Sequence, residues 1–232
     1  MISVVIPTYN EEKNIEACLK AMTSQTLPRE EYEVIIVDYK SKDNTCKIAE
    51  EYADKVIQQK SKGVGGARND GAAASRGEII ATTDADVIVP KDWLEKIRRD
   101  LQRPGVIAVY GPQKPIENSL RAKMFFWLMK WSGLVVQLIG QPYMGGPNSA
   151  FKREAFEKVG GYSDLPMQDD VEIGFRVKKH GKIHYDMGNP VAVSARRFEK
   201  FGYLNTIWNW KKGDLAMRRK KEMSDEYARQ EY

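Results

Sequence analysis

Apolar residues near the start of the chain fall in short runs, separated by longer stretches with helical spacing. The runs "ISVVI" at 2–6, "EVIIV" at 33–37, a short one near Val56, "EIIAT" at 78–82 and "VIAVY" at 106–110 read as strands. Their lengths, β-branched content and bordering turn residues fit strands buried on both faces. Between them, the patterns over 11–24, 44–52, 66–74 and 91–101 read as helices. Strands and helices alternating in this order predict βαβ units, hence a mostly parallel sheet flanked by helices.

Such sheets bind ligands at the carboxyl ends of their strands. Three of those ends are polar here: "PTYNEE" follows the first strand, "DYKSKDNT" the second and "DADV" the run at 78–82. If the backbone stays extended through "DADV", Asp84 and Asp86 point to one face. Two carboxylates without a base between them repel. A hard divalent cation, Mg²⁺ or Mn²⁺, would relieve this while substrate phosphates complete its shell. A solvated turn is the competing reading, since Asp is common at strand ends.

The stretch "KGVGGARNDGAAASRG" places Gly63, Gly65 and Gly66 ahead of a small-residue helix carrying Arg68. Arg68 stands where a dinucleotide fingerprint needs its third glycine, and no ribose-binding acid follows, which excludes a Rossmann dehydrogenase. The glycines can still let backbone N–H groups approach a phosphate, with Arg68 adding a contact. An ordinary surface arginine is the alternative.

The most apolar stretch is "MFFWLMKWSGLVVQLI" at 124–139. It is shorter than the roughly 20 residues a spanning helix needs and is broken by Lys130 and Gln137. A core helix, a dimer helix and a helix lying in a membrane interface all fit, and Arg121, Lys123, Trp127 and Trp131 suit the last.

At 232 residues the chain can form one large domain or two small lobes. Its net charge of +5 is unevenly spread: 196–221 holds nine Lys/Arg against two Asp/Glu, so the remainder is slightly acidic. With Phe201, Trp208 and Trp210, that basic segment suits peripheral contact with an anionic membrane, a plain solvated helix being the alternative. No nucleic-acid-binding pattern accompanies the basic residues, so nucleic acid is not expected as a partner. Cys18 and Cys46 lack metal-ligand spacing and read as free thiols in a reducing compartment. The chain enters a strand pattern without a basic leader, so a cytoplasmic location is expected, peripheral on the cytoplasmic membrane face.

Five blocks then carry a resemblance: "SVVIPTYNEEKNIEACLKAMTSQTLP", "YEVIIVDYKSKDNT", "GGARNDGAAASRGEIIATTDADVIVPKDWL", "GGPNSAFKREAFEKVGGYSD" and "QDDVEIGFRVKKHG". Together, in this order and over most of 2–181, they resemble the family 2 glycosyltransferases of the GT-A fold. The resemblance implies an α/β fold with a Rossmann-like, mostly parallel central sheet and C-terminal acceptor-side helices. It divides the domain into a nucleotide-sugar-binding half at 1–111, an acceptor and catalytic-base half at 112–195, and a basic aromatic tail at 196–232.

The activity it implies is inverting, metal-dependent transfer from a nucleotide-diphosphate sugar to a lipid-linked or glycan acceptor. By position, Pro7, Thr8, Asn10 and Glu11 would line the nucleoside pocket and Asp38 would accept a hydrogen bond from the base. Asp84 would contact the ribose or metal region, with Arg68 near the donor. Asp86 would be the main ligand of Mn²⁺ or Mg²⁺, and Asp170 the general base, with Asp169 beside it or one of the two capping the helix over 171–179. Gly145, Gly146, Pro147 and Asn148 resemble the segment lining the sugar and acceptor side, although the glycines alone read as a turn. Arg196 or Arg197 would close over the diphosphate.

Two departures stand out. Relatives that supply a histidine to the metal do so near Ser194, so His184, then His180, is the nearest substitute. The usual "DGS" after the base-contacting aspartate reads "DYKS", which leaves GDP-sugars possible beside the favoured UDP-sugars. Two competing functions remain: a sugar-nucleotide pyrophosphorylase, which should carry a Gly-rich, Arg-containing loop where this chain has "PTYNEE", and a non-catalytic, membrane-docked binding protein. Nothing position-specific marks the segment after Pro112.

Overall fold

The computed structural model describes residues 1–141, 143–165 and 168–218, apart from the side chains at 197, 204 and 214–218. The end of the basic tail, 219–232, lies outside the described residues. The first half alternates as the hydrophobic pattern predicts: β1 (Ile2–Thr8), α1 (Ile15–Thr23), β2 (Tyr32–Asp38), α2 (Thr45–Glu50), β3 (Lys55–Gln58), α3 (Gly63–Ala74), β4 (Ile79–Thr82), α4 (Trp93–Leu101) and β5 (Val106–Tyr110). The second half adds β6 (Gln113–Pro115), α5 (Leu120–Leu138), β7 (Ser149–Lys152), α6 (Arg153–Lys158), α7 (Asp169–Lys178), β8 (Lys182–Tyr185), β9 (Val191–Val193), α8 (Arg196–Phe201) and α9 (Tyr203–Arg218).

Seven strands form one sheet in the order β3-β2-β1-β4-β7-β5-β8, and β6 pairs with β9 separately. β1 runs parallel to both β2 and β4, whereas β7 enters antiparallel between β4 and β5. The chain therefore leaves β1 in opposite directions along the sheet, through β2 to β3 on one side and to β4 on the other. That reversal opens a crevice at the carboxyl ends of β1 and β4, where open α/β sheets bind ligands.

Side-chain alternation splits the core between the two faces of the sheet. Val4, Ile6, Val34 and Ile36 pack with Leu19 of α1 and Trp93 and Leu94 of α4. Val5, Ile35, Val37 and Ile80 pack with Ala67 and Ala72 of α3 and Ile173 and Val177 of α7. α3 is built from small residues because it lies almost on the strands: a Cβ added at Gly71 would sit 2.2 Å from Val5 Cγ1. Gly71 thus serves close packing of helix on sheet, whereas Gly65 makes room for Asp169 and Tyr162 and Gly66 for Ser61.

Candidate functional site

Register brings the strand ends together. Thr8 pairs with Asp38 across β1 and β2, and Thr83 continues beside β1 by donating its N–H to the Val5 carbonyl at 3.3 Å. β4 stops at Thr82. The "DAD" segment is therefore not extended but a tight turn, with the Val87 N–H donating to the Asp84 carbonyl at 3.2 Å. The strand-alternation argument for the two aspartates fails here, because Asp favours turns over continued pairing. Their charges are felt by one another nonetheless: the Asp86 carboxyl is pushed up to about 7 by burial, then by the charges of Asp84 and Glu11.

Glu11 is the third acid of this group. The helix expected from 11 begins only at Ile15, since Asn10 adopts a left-handed φ of 54° and residues 11–14 form a turn. The Glu11 N–H donates to Thr45 Oγ1 at 2.7 Å and its Oε2 accepts from Asn14 Nδ2 at 2.7 Å. Burial raises its pKa and Asp84 adds to the rise, while Arg196 opposes it. Sequence reading placed Glu11 with the nucleoside and missed its proximity to the aspartates, because only the turn carries its carboxylate toward them.

The nucleoside-side residues form a zipped rim. Asp38 accepts from Ser41 N–H at 2.9 Å, from Ser41 Oγ at 2.5 Å and from the Thr8 hydroxyl at 3.3 Å. Asn10 bonds both ways with the facing loop, donating its N–H to Ser41 Oγ and accepting the Lys42 N–H, each at 2.9 Å. Pro7 is half-buried beneath this rim. Above it, Tyr9 and Tyr39 stand exposed and meet edge to face at 5.7 Å.

Arg68 lies deeper than a donor-contacting surface residue would. It is 4% exposed, with Nη2 donating to Asp84 Oδ1 at 2.9 Å and Nη1 to Asp169 Oδ2 at 3.2 Å. Its guanidinium stacks 5.4 Å from the Tyr162 ring, and Nε is buried without a partner. The two carboxylates hold its charge firmly, so its pKa rises despite burial. Gly146 is required beside it, since a Cβ there would fall 2.2 Å from Nη2.

Asp169 and Asp170 both belong to the first turn of α7, so neither is its N-cap; Gln168, at φ 64°, holds that position. Being adjacent they diverge, Asp169 to Arg68 and Asp170 to the backbone: Oδ2 accepts the Gly146 N–H and Oδ1 its neighbour's Val171 N–H, both at 2.8 Å. Burial raises both pKa values against the pull of Arg68. Gly145 and Pro147 flank this contact in the loop before β7.

Asn148, expected on the acceptor side, faces the core instead. It accepts from Trp93 Nε1 at 2.9 Å and donates to the Pro112 and Asn189 carbonyls at 3.1 and 2.8 Å, which uses both of its amide hydrogens. His184 is likewise removed from the acids. It sits on β8 with Nε2 3.9 Å from Asp100, in a cluster with Arg99, Arg103 and Asp186, and burial lowers its pKa. His180 ends the turn after α7.

Arg196 is exposed and its charge lowers the pKa values of both Glu11 and Asp86. Glu117 positions it, accepting from Ser194 Oγ at 2.6 Å and from the Ala195 N–H at 2.7 Å. Neither Glu117 nor Glu11 carried a motif that marked this role. The Arg197 side chain lies outside the described residues.

Residues 3–160 match the family model for "Glycosyl transferase family 2". The chain belongs to that family. Among relatives of this family 2 glycosyltransferase, glycosyltransferase AglE of Haloferax volcanii is 40% identical over 116 residues, 47% of this chain and 38% of its own length. Beta-monoglucosyldiacylglycerol synthase of Nostoc sp. is 31% identical over 227 residues, 90% of this chain and 46% of its own. The chain thus spans less than half the length of these relatives.

Among solved structures, the mannosyltransferase PcManGT of Pyrobaculum calidifontis, in complex with GDP-Man and Mn²⁺, superposes with a TM-score of 0.69 at 25% identity, covering 84% of this chain and 56% of its own. Staphylococcus aureus TarS 1–349 with UDP-GlcNAc follows at 0.66 and 20% identity, covering 83% and 58%. The architecture is that of GT-A glycosyltransferases.

Proposed function

We propose that this family 2 glycosyltransferase is an inverting, metal-dependent enzyme. It moves a sugar from a nucleotide-diphosphate donor, UDP-linked in the first instance and GDP-linked as the alternative, to a hydroxyl of a lipid-linked or glycan acceptor. The observation that carries the reading is the carboxyl of Asp86 at the sheet's switch point. Asp86 makes no ion pair among the described residues, yet it is crowded by Asp84 and Glu11 and held near neutrality.

Among the described residues no three His, Cys, Asp or Glu side chains converge as a metal site of their own. One or two carboxylates with phosphate oxygens completing the shell is, however, how Mg²⁺ and Mn²⁺ are usually held, and these hard oxygen donors fit. Asp86, with Asp84, would hold the cation, and its chemistry there is to stabilise the charge of the departing diphosphate. PcManGT, bound to GDP-Man and Mn²⁺, supports that fit.

The chain's own residues divide the remaining work. Asp38, Thr8 and Asn10 frame the base. Arg68 pairs with Asp84 Oδ1 and Asp169 Oδ2 and holds both carboxylates in place, which leaves Asp84 Oδ2 as its oxygen for the cation. Arg196, its Nε donating to Ser194 Oγ at 3.0 Å, supplies a positive charge for the diphosphate. Asp170 is aimed by the Gly146 N–H and retains free lone pairs, and its raised pKa suits a group that takes a proton from an attacking hydroxyl. Asp169 is committed to Arg68 and is the weaker candidate. One base with direct displacement gives inversion. The diacylglycerol-linked product named for the Nostoc relative favours a lipid-linked acceptor.

The reading is tested by incubating the protein with UDP-glucose, UDP-GlcNAc and GDP-mannose, Mn²⁺ and a lipid acceptor extract, and following the anomeric proton by NMR. A product of inverted configuration that disappears with a chelator is expected. Retention of configuration, or turnover indifferent to the chelator, would overturn it.

A further inference from the structure

We infer that the outward face of α5 is a docking surface for an anionic lipid bilayer. Leu120, Met124, Trp127, Trp131, Val135 and Leu138 recur at intervals of three and four and are all exposed, from 46% at Trp131 to 81% at Leu120. That spacing makes one continuous apolar stripe along a 19-residue helix. A stripe of this length left in water marks an interaction surface.

The opposite face is already committed. Phe125 and Phe126 are buried, with Phe125 4.9 Å from the Tyr203 ring of α9. Gly133 lies against Tyr185, whose hydroxyl donates to the Lys130 carbonyl at 3.0 Å. α5 therefore cannot be threaded through a bilayer, and no helix of the described residues is long and apolar enough to cross one. What it can do is lie in the interface plane with its outer stripe immersed.

Charge selects the occupant. At 100° per residue Arg121 borders the stripe on one side and Lys123 and Lys130 on the other, and the helix contains no Asp or Glu. A second copy of α5 laid on the stripe would bring cation against cation along both edges, where helix pairs normally place opposite charges. A surface of anionic headgroups meets both edges favourably. Trp127 and Trp131, 6.2 Å apart within the stripe, are the residue type that settles at headgroup level.

The inference needs neither donor binding nor turnover, so it stands or falls apart from the proposed reaction. The test uses the full chain, vesicles of phosphatidylcholine alone or with about one-third phosphatidylglycerol, co-sedimentation and tryptophan emission. The wild type should bind the anionic vesicles at least about tenfold more tightly, with a blue-shifted emission. The combined variant Trp127→Gln, Trp131→Gln, Leu138→Gln should lose that binding while keeping the wild-type far-ultraviolet dichroism, because all three side chains are exposed. Arg121→Gln, Lys123→Gln, Lys130→Gln together should lose about a hundredfold in affinity for anionic vesicles only. No vesicle binding, or binding indifferent to both variants, would overturn the inference. So would a dimer in sedimentation equilibrium that the apolar variant dissolves without any vesicle affinity, which would assign the stripe to a second copy.

Discussion

Replacing Asp86 with Asn should stabilise the fold while removing the acid that the proposed chemistry needs. The Asp86 carboxyl rises from 3.8 to about 7 on folding, about three pKa units. At 1.36 kcal/mol per unit the ceiling is about 4 kcal/mol. Water reaching this partly exposed group reduces the expected figure to about 2 kcal/mol. The sign follows from which state ionises first. Below pH about 4 the carboxyl is protonated in both states and costs nothing. As pH climbs, the unfolded chain ionises while the folded one resists, so the penalty grows from about 4 to about 7 and then levels.

Asn keeps the shape and carries no charge, so the stability gap between variant and wild type should follow the same curve. Urea unfolding in a chelator at about pH 4.5 and about pH 8 reads it directly. A gap of about 2 kcal/mol at the higher pH, narrowed to about half of that at the lower, is expected. No gap at pH 8, or one that ignores pH, would refute the claim that Asp86 is held in an unrelieved acid cluster.

Asp170→Asn should lower transfer by about 10²–10⁴ while donor affinity, measured by calorimetry, stays within about twofold. Arg68→Met should destabilise the protein by about 3 kcal/mol or more in urea unfolding, because Asp84 and Asp169 lose the charge that pairs them, a cost typical of breaking a buried ion pair. His184→Ala should leave metal-dependent nucleotide affinity within about twofold of wild type, since the imidazole sits with Asp100, more than a contact away from the acid group.

Much of the framework was legible because parallel strands buried on both faces announce themselves as unbroken apolar runs, as "SVVI" and "VIIV" do. The acids at their ends were legible for the same reason, since fixing a strand fixes where its following loop emerges. β7 and β8 were not read as strands: four residues each, they draw their pairing from β4 and β5, and only tertiary contact defines them. The geometry at Asp84 and Asp86 was expected from strand periodicity and arises instead from a turn.

Arg68 and Asn148 show what sequence alone conceals. Both looked like ligand contacts in polar, glycine-rich stretches, yet each is consumed by partners far along the chain, Arg68 by Asp169 and Asn148 by Trp93. One local hint existed for Arg68. Its neighbours Gly65, Ala67, Gly71 and Ala72 pack so closely that a long side chain between them has little route to solvent. Glu11 was displaced from its expected helix by the left-handed Asn10, a conformation that Asn tolerates but its neighbours did not advertise.

The central claim is that Asp86 and its neighbours bind a cation together with a nucleoside diphosphate. Calorimetry with UDP and GDP, with and without Mn²⁺, on wild type and Asp86→Ala, tests it most directly. Binding of one nucleotide that requires Mn²⁺ and is lost in the variant is the predicted result. Equal affinity with and without the metal, or an Asp86→Ala protein that binds as the wild type does, would contradict it.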